Sequence, residues 1–335
     1  MNRQLLLSQR PAGEPTPDDF EVKEEELPTP GDDEALVKVL QISLDPAMRG
    51  WMSEVPSYLP PVGIGEVMRA GVSGVVLESN SDRLVRGDFV VGMLGVQEHG
   101  VAPAKALTKV DTGMAPLETF LGGLGMPGLT AYFGLTEVGE LKEGATVVVS
   151  GAAGAVGSVA GQLAKAMGAA NVVGIAGGPE KCQWIVDDLG FDAAIDYKNE
   201  RVGRRLHELC PDGINVYFDN VGGEILDAAL ANLAWGARVV ICGAISQYNA
   251  EGGMRGPSNY MMLLVRRARM QGFLVFDYGK QYGEALQKMA AWRDEGKLKT
   301  REEIVEGSIE DFHPTLMQLF RGDNTGKLVL EIAKP

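Results

Sequence analysis

Ser150-Gly151-Ala152-Ala153-Gly154-Ala155-Val156-Gly157 is the stretch that decides the fold of half the chain. It follows the apolar run Thr146–Ser150 and leads into residues 156–167, where apolar side chains recur at helical spacing. A strand, a glycine turn and a helix in this order predict a dinucleotide-binding turn of the form A-x-G-x-x-G. Gly154 would admit a pyrophosphate, and Gly157 would let the helix pack on the strand. The alternative is a tight turn that binds nothing.

Strands and helices keep alternating after this turn. Further strands are predicted at Asn171–Ala176, Ala193–Asp196, Ile214–Asp219, residues 238–242 and residues 271–277. Six strands joined by helical crossovers predict an α/β unit with a doubly wound parallel sheet over residues 123–298.

The rest of the chain has a different pattern. Short β runs at residues 34–42, 72–77 and 88–96 are separated by proline and glycine, which predicts a β-rich unit. After Lys297, one helix (Phe312–Arg321) and one strand (residues 327–332) are predicted to return to it. The predicted domains are therefore 1–122 with 299–335, and 123–298.

Composition limits the partners and the compartment. The 335 residues carry a net charge of −14, which disfavours nucleic acid and anionic membranes because both repel an acidic protein. No segment approaches the ~20 apolar residues of a membrane span, and the run Leu5–Leu7 is too short for a signal peptide. Cys182, Cys210 and Cys242 are scattered, as reduced thiols would be. We expect a cytoplasmic protein.

The end of the second parallel strand predicts which dinucleotide binds. An NAD enzyme places Asp or Glu there, about 20 residues beyond the glycines, to bond the ribose 2′-hydroxyl. Here Ala176 is followed by Gly177, Gly178 and Pro179, and Lys181 stands just beyond. Small residues with a nearby cation predict NADP(H). The alternative is that Lys181 is a solvated lysine beside Glu180.

The number and spacing of cysteines and histidines predict that no metal takes part. Catalytic zinc needs three Cys, His or carboxylate ligands, and structural zinc usually needs four. The first 120 residues hold no cysteine and only His99, while His207 and His313 are isolated. Without a Lewis acid, alcohol oxidation is harder than enone reduction, which needs only a stabilised enolate.

Several longer motifs resemble one family over essentially the whole chain. They are residues 43–50 (SLDPAMRG), 125–132 (GMPGLTAY), 152–157 (AAGAVG), 217–223 (YFDNVGG), 242–249 (CGAISQYN) and 324–327 (NTGK). In this order they resemble the zinc-free branch of the medium-chain dehydrogenase/reductases, in the leukotriene hydroxydehydrogenase/prostaglandin reductase group and especially its bacterial curcumin reductases. The resemblance implies a GroES-like β-rich catalytic domain, a Rossmann domain, NADPH as cofactor and a homodimer.

The resemblance also implies a set of cofactor-binding residues. They are Thr130, Gly154, Ala155, Val156, Gly157, Gly178, Lys181, Tyr197, Asn220, Cys242, Gly243, Ile245, Ser246, Tyr248, Phe273, Leu274, Val275 and Asn324. Lys181 and Tyr197 would meet the 2′-phosphate, residues 273–275 would lie beside the nicotinamide, and Asn324 would close over it. As alternatives, Tyr197 could be plain packing and Cys242 a small buried hydrophobe.

One departure from the group concerns the enone oxygen. Relatives often carry a tyrosine where this chain has Val265. The catalytic candidates that remain are Tyr260 and Tyr58, because a phenol hydroxyl can donate a hydrogen bond to a developing enolate. Either ring could instead be only a wall of an apolar pocket.

Three functions stay open at this point. The first is NADPH-dependent reduction of the carbon–carbon double bond of α,β-unsaturated ketones. The second is quinone reduction on the same fold with the same cofactor. The third is NADPH binding without catalysis.

Overall fold

The computed structural model describes residues 1–55, 57–250 and 253–335, and they form two compact units. The first comprises Met1–Leu121 and Glu302–Pro335, and the second Gly122–Arg301. We call them the β-rich unit and the parallel-sheet unit. Their boundaries lie one and three residues from those predicted by sequence.

Fifteen strands occur in the described residues. They are β1 (Asn2–Leu7), β2 (Phe20–Glu25), β3 (Glu34–Ser43), β4 (Val72–Ser79), β5 (Phe89–Gly92), β6 (His99–Pro103), β7 (Thr108–Lys109), β8 (Thr146–Ser150), β9 (Asn171–Ala176), β10 (Ala193–Asp196), β11 (Ile214–Asp219), β12 (Leu233–Ile241), β13 (Arg269–Gly272), β14 (Glu302–Glu306) and β15 (Lys327–Glu331).

Nine α-helices occur in the same ranges. They are α1 (Met48–Trp51), α2 (Met126–Phe133), α3 (Ala155–Ala166), α4 (Pro179–Asp187), α5 (Val202–Leu209), α6 (Gly223–Ala231), α7 (Met261–Arg266), α8 (Tyr282–Asp294) and α9 (Phe312–Arg321). None of the described helices is long and apolar enough to cross a membrane.

The β-rich unit is built on a seven-stranded sheet. Its order is β14-β15-β3-β4-β5-β7, β6 also pairs with β3, and β1 and β2 form a separate antiparallel pair. The inward side chains of β3, such as Val37 and Ile42, pack with Met48, Phe312 and Leu330 in one core. The two sequence segments of this unit therefore share a single hydrophobic core.

A buried ion pair joins the last strand to the end of β3. Lys327 begins β15 and is only 2% exposed. Its ammonium donates to the Leu44 carbonyl at 2.6 Å and contacts Asp45 Oδ1 at 2.7 Å. The Ser43 hydroxyl donates to the other oxygen of the Asp45 carboxylate. The charge of Lys327 is thus matched inside the unit, as a buried charge requires.

The parallel-sheet unit holds six strands in the order β10-β9-β8-β11-β12-β13, all parallel. The middle of its central strand β8 is a continuous apolar run, typical of a parallel sheet buried on both faces, and Val147, Val148 and Val149 are all fully buried. The strand order reverses between β8 and β11, where α/β sheets open a crevice at their carboxyl edge. The predicted doubly wound fold is confirmed.

Three predicted strands differ by more than two residues from those in the structure. The run at 88–96 is a strand only over Phe89–Gly92, since Gly95 takes a left-handed φ of 80°. The prediction of a single strand over residues 271–277 was wrong. In the structure β13 ends at Gly272, and Val275–Gln281 form a 3-10 helix. The run at 238–242 begins earlier, at Leu233, because a bulge adds residues before Arg238.

Candidate cofactor and active site

The glycine turn lies between β8 and α3, as the sequence predicts. Gly154 is the N-cap of α3, and Ala155 and Val156 open the helix, so their amide groups face the turn. A Cβ on Gly157 would stand 2.2 Å from the Gly151 carbonyl oxygen. Only glycine therefore allows α3 to begin this close to the end of β8.

Asp219 ties together the ends of the two strands that flank the crevice. This carboxylate is 1% exposed, and its Oδ1 accepts hydrogen bonds from the Ser150 hydroxyl at 2.8 Å and the Tyr217 hydroxyl at 3.0 Å. The amides of Val221 and Gly222 donate to the same oxygen. Burial raises the pKa of Asp219, and these donors oppose the rise.

Asn220 completes this connection. Its amide donates to the Ser150 hydroxyl at 2.9 Å, and its side-chain Nδ2 donates to the Ser150 carbonyl at 2.7 Å. The floor of the crevice is thus a hydrogen-bonded bridge between β8 and β11. Sequence reasoning found Asn220 but missed Ser150 and Asp219, whose only signal was a polar residue at the end of an apolar strand.

The segment after β12 lies beside Asn220. The amides of Cys242 and Gly243 both donate to the Asp219 carbonyl, and the Ser246 hydroxyl donates to the Val221 carbonyl at 2.6 Å. The Tyr248 hydroxyl accepts from the Ala244 amide at 3.0 Å. Five of the predicted cofactor residues (Cys242, Gly243, Ile245, Ser246, Tyr248) are therefore gathered at one point of the carboxyl edge.

The surroundings of Cys242 disfavour its thiolate form. Burial, with the Asp219 carboxylate as the second cause, raises the pKa of its thiol to about 12. A thiol with this pKa stays protonated at neutral pH, and the thiolate is the reactive form. Its place at the crevice is that of a small neutral side chain.

The turn after β9 is open enough for a phosphate. Gly178 has a left-handed φ of 97° and caps α4, and a Cβ there would meet nothing within 4 Å. Lys181 is the third residue of α4. The Tyr197 ring lies against Gly177, where an added Cβ would stand 2.9 Å from its Cε1 atom. Gly178, Lys181 and Tyr197 are thus brought together at this end.

One acidic group does reach this turn, from the neighbouring strand. Asp196 ends β10, and its Oδ1 accepts from the amides of Gly178 at 2.8 Å and Lys198 at 3.0 Å. Burial works against ionisation, but these donors and the Asn199 side chain outweigh it and lower the pKa of Asp196. Its oxygens are occupied by the turn's own donors.

The predicted nicotinamide neighbours lie at the far end of the same edge. Residues 273–275 follow β13, and Thr130 lies on α2 with its hydroxyl donating to the Met126 carbonyl. Gly134 ends α2 and leads into a π-helical turn, and a Cβ there would stand 2.9 Å from the Phe273 ring. Phe273 is thus packed against the end of the helix that carries Thr130.

The catalytic candidates are placed on different units. Tyr260 is the N-cap of α7 and is 58% exposed, with Val265 on the same helix. Tyr58 belongs to the β-rich unit and is 45% exposed; nearby Pro56 lies outside the described residues. Asn324 also belongs to the β-rich unit, where it precedes β15 and its Nδ2 donates to the Gly326 carbonyl.

The residues of the parallel-sheet unit fit a dinucleotide. A helix N-terminus with glycines at its start can receive a pyrophosphate, and an open turn with a lysine can receive a 2′-phosphate. The hydrogen-bonded bridge of Ser150, Asp219 and Asn220 lies at the strand ends beside the first of these sites. Among the described residues, no group of three or more His, Cys, Asp or Glu is arranged to hold a metal.

Comparison with known proteins identifies the family of the chain. Residues 3–110 match a family described as the N-terminal domain of oxidoreductase, and residues 155–291 match one described as zinc-binding dehydrogenase. The chain is 41% identical to the NADPH-dependent curcumin reductase of Escherichia coli (99% of this chain, 97% of that protein). It is 38% identical to mouse prostaglandin reductase 1, over 95% of each chain.

A solved structure matches as closely. CurA from Vibrio vulnificus in complex with NADPH is 42% identical, with a TM-score of 0.93 over 99% of this chain and 100% of that one. The chain therefore belongs to the medium-chain dehydrogenase/reductases, in the group that contains curcumin reductase and prostaglandin reductase. This confirms the family indicated by the sequence motifs.

Proposed function

We propose that the chain reduces the carbon–carbon double bond of α,β-unsaturated ketones with NADPH. The observation that carries the proposal is the bridged crevice at the reversal of strand order, in a chain similar over its whole length to a curcumin reductase. The parallel-sheet unit would bind NADPH, and the β-rich unit would bind the enone.

The reaction assigns distinct tasks to the chain. Bound NADPH supplies a hydride to the β-carbon, and the electron pair of the double bond moves to the carbonyl oxygen as an enolate. The chain must hold the two reactants in line, stabilise the enolate oxygen with a hydrogen-bond donor and exclude water. The enolate then takes a proton at its α-carbon, which leaves a saturated ketone.

A substrate panel tests the proposal. Incubation with NADPH and an enone should give a product heavier by two hydrogens with its carbonyl intact. Turnover of quinones alone would instead identify a quinone reductase. Tight NADPH binding without turnover of any acceptor would identify a non-catalytic binding protein.

The hydroxyl donor to the enolate is proposed to be Tyr58 or Tyr260. Phe substitution keeps the ring and removes only the hydroxyl, and loss of one donor of this kind costs about 10²–10³ in kcat. We expect Tyr58→Phe or Tyr260→Phe to lower kcat more than about tenfold with the KM for NADPH unchanged. If both variants keep a normal kcat, both rings are pocket walls.

Cofactor preference follows from the turn after β9. Because β9 ends without an acid and Lys181 follows, kcat/KM for NADPH should exceed that for NADH by at least about tenfold. Lys181→Ala should reduce this preference through a higher KM for NADPH. Steady-state kinetics with both cofactors measure it, and equal use by the unmodified enzyme would contradict the assignment.

We also propose that the enzyme works without zinc, on the ground that its few histidines and cysteines are scattered along the sequence. Exhaustive chelation should leave kcat and KM unchanged, because no step needs a Lewis acid. Elemental analysis that found stoichiometric zinc in the active enzyme would overturn this.

The protein is proposed to be a cytoplasmic homodimer. β13 is the edge strand of its sheet, and the adjacent helix α7 exposes Met261, Leu264 and Val265. A second copy would cover this apolar surface and the open strand edge. Light scattering at several concentrations measures the assembly.

A further inference from the structure

The strand order determines how a dinucleotide would run along the carboxyl edge of the sheet. With the 2′-phosphate at the turn after β9, a dinucleotide must cross β8, β11 and β12 along the carboxyl edge, which brings its other end to β13. Four strand spacings of about 4.8 Å make this distance about 19 Å, the scale of an extended dinucleotide. The segment after β13 is therefore where the reacting ring would lie, and the inference below rests on the proposed function.

Two aromatic contacts hold this segment against α2. The ring of Tyr278 stacks on the ring of Phe133, with centroids 4.8 Å apart and planes within 8° of parallel. The Tyr282 ring lies 6.0 Å from the same Phe133 ring. Phe133 is the last residue of α2, so the 3-10 helix Val275–Gln281 is attached to the helix that carries Thr130.

A side-chain hydrogen bond connects this segment to the start of α8. The Tyr282 hydroxyl donates to the Val275 carbonyl at 3.0 Å. Val275 is buried, while its neighbours Leu274 and Phe276 are half-buried and exposed. The Val275 carbonyl opens the 3-10 helix, whose own i→i+3 hydrogen bonds it joins, so the Tyr282 hydroxyl is a second donor that links the start of this helix to α8.

We propose that Tyr282 is a positioning residue for hydride transfer. It acts through Val275, since its hydroxyl holds the segment 273–275 at the distance from α2 that the nicotinamide ring requires. Hydride transfer needs the two reacting carbons within about 3–3.5 Å, and a displacement of about 1 Å can cost on the order of 10²-fold in rate. A small release of this segment would therefore affect the chemical step more than cofactor affinity.

Tyr282→Phe tests the proposal because it keeps the ring against Phe133 and removes only the hydroxyl. Single-turnover oxidation of NADPH by an enone that the unmodified enzyme reduces should slow about three- to tenfold. The fluorescence of bound NADPH, which reports the surroundings of the nicotinamide, should move toward that of free NADPH. Binding of 2′,5′-ADP, which lacks the nicotinamide, should stay within about twofold.

Tyr132→Phe is the matched control. Tyr132 lies on α2 beside Phe133, and its hydroxyl accepts from the Lys288 ammonium at 3.4 Å, whereas the Tyr282 hydroxyl of α8 donates to Val275. All three readouts should equal those of the unmodified enzyme. Tyr278→Leu, which removes the stacked ring and keeps the Tyr282 hydroxyl, should reproduce the slower transfer.

The outcomes separate the possibilities. Unchanged hydride transfer and unchanged NADPH fluorescence in Tyr282→Phe would overturn the proposal. A loss of 2′,5′-ADP affinity as large as the loss in transfer rate would also overturn it, because it would indicate that the whole cofactor site is disturbed. If the unmodified protein reduces no enone, the proposed function fails. The fluorescence and 2′,5′-ADP measurements then still decide whether Tyr282 positions the nicotinamide.

Discussion

Gly157→Ala should weaken NADPH binding by on the order of 100-fold. The added Cβ would stand 2.2 Å from the Gly151 carbonyl oxygen, 2.8 Å from its carbon and 2.9 Å from the Ala152 Cα atom. All three are backbone atoms, so no side chain can swing aside. The start of α3 would have to move away from the turn by about 1 Å, which misplaces the amide groups proposed to hold the pyrophosphate. Fluorescence titration with NADPH measures the dissociation constant.

A second helical glycine provides the control for this variant. Gly203 lies in α5, where an added Cβ would meet only the Ala228 Cβ at 3.7 Å, an ordinary contact. Gly203→Ala should leave NADPH binding unchanged and stabilise the fold slightly, by less than about 1 kcal/mol. If Gly157→Ala binds NADPH as well as Gly203→Ala does, the close approach of α3 to β8 is not what shapes the cofactor site.

Lys327→Met should lower the free energy of unfolding of the β-rich unit by about 3 kcal/mol. The substitution keeps an unbranched chain of similar length but removes the cation from the Asp45 carboxylate and the donor from the Leu44 carbonyl. Breaking a buried pair typically costs about 3–5 kcal/mol, and the lower value applies because the Asp45 side chain is 30% exposed. Urea unfolding measures the change.

Lys334→Met is its surface counterpart. Lys334 contacts Glu306 and Glu331, but its side chain is 68% exposed. The Lys334–Glu306 pair, with side chains 68% and 76% exposed, should contribute only about 0–1 kcal/mol, and the Lys334 ammonium remains solvated even where it meets the less exposed Glu331. Equal urea midpoints for the two variants would show that burial of Lys327 adds nothing to its ion pair.

Sequence patterns predicted the central elements well because each carried two independent signals. β8 and α3 combine a continuous apolar run, a glycine turn and helical spacing, and the structure places them within one residue of the prediction. The segment 271–277 carried only one signal, a run of apolar residues. It divides after Gly272 because Phe273 packs against Gly134 at the end of α2 and Val275 begins a 3-10 helix.

Strand β2 and the buried position of Lys327 could not be predicted from the sequence. β2 is rich in glutamate and exposed along its length, and it forms because β1 offers it a partner. Lys327 resembles a surface lysine in sequence, since nothing near it along the chain shows that Asp45, 282 residues away, will meet it. Contacts between distant segments fix such residues, and a single sequence does not show those contacts.

The candidate site also contains both predictable residues and residues that only contacts between distant segments reveal. The glycines and Lys181 follow from local turn chemistry, whereas the bridge of Ser150, Asp219 and Asn220 depends on two strands that are neighbours in space only. Tyr282 was also missed, because a tyrosine at the start of a helix has no special signal. Its importance comes from one hydrogen bond to a segment seven residues away.

The place of β15 affects how the protein is made on the ribosome. Glu331, Leu330 and Val329 in β15 pair with Gln41, Ile42 and Ser43 in β3, which are translated long before them. At about 5–20 residues per second, this edge of β3 waits roughly 15 to 60 s for its partner. Gly122–Arg301 emerges complete in the meantime and can fold first. The β-rich unit can thus be completed only after the parallel-sheet unit, and until then β3 presents an open strand edge, the kind of surface on which nascent chains aggregate.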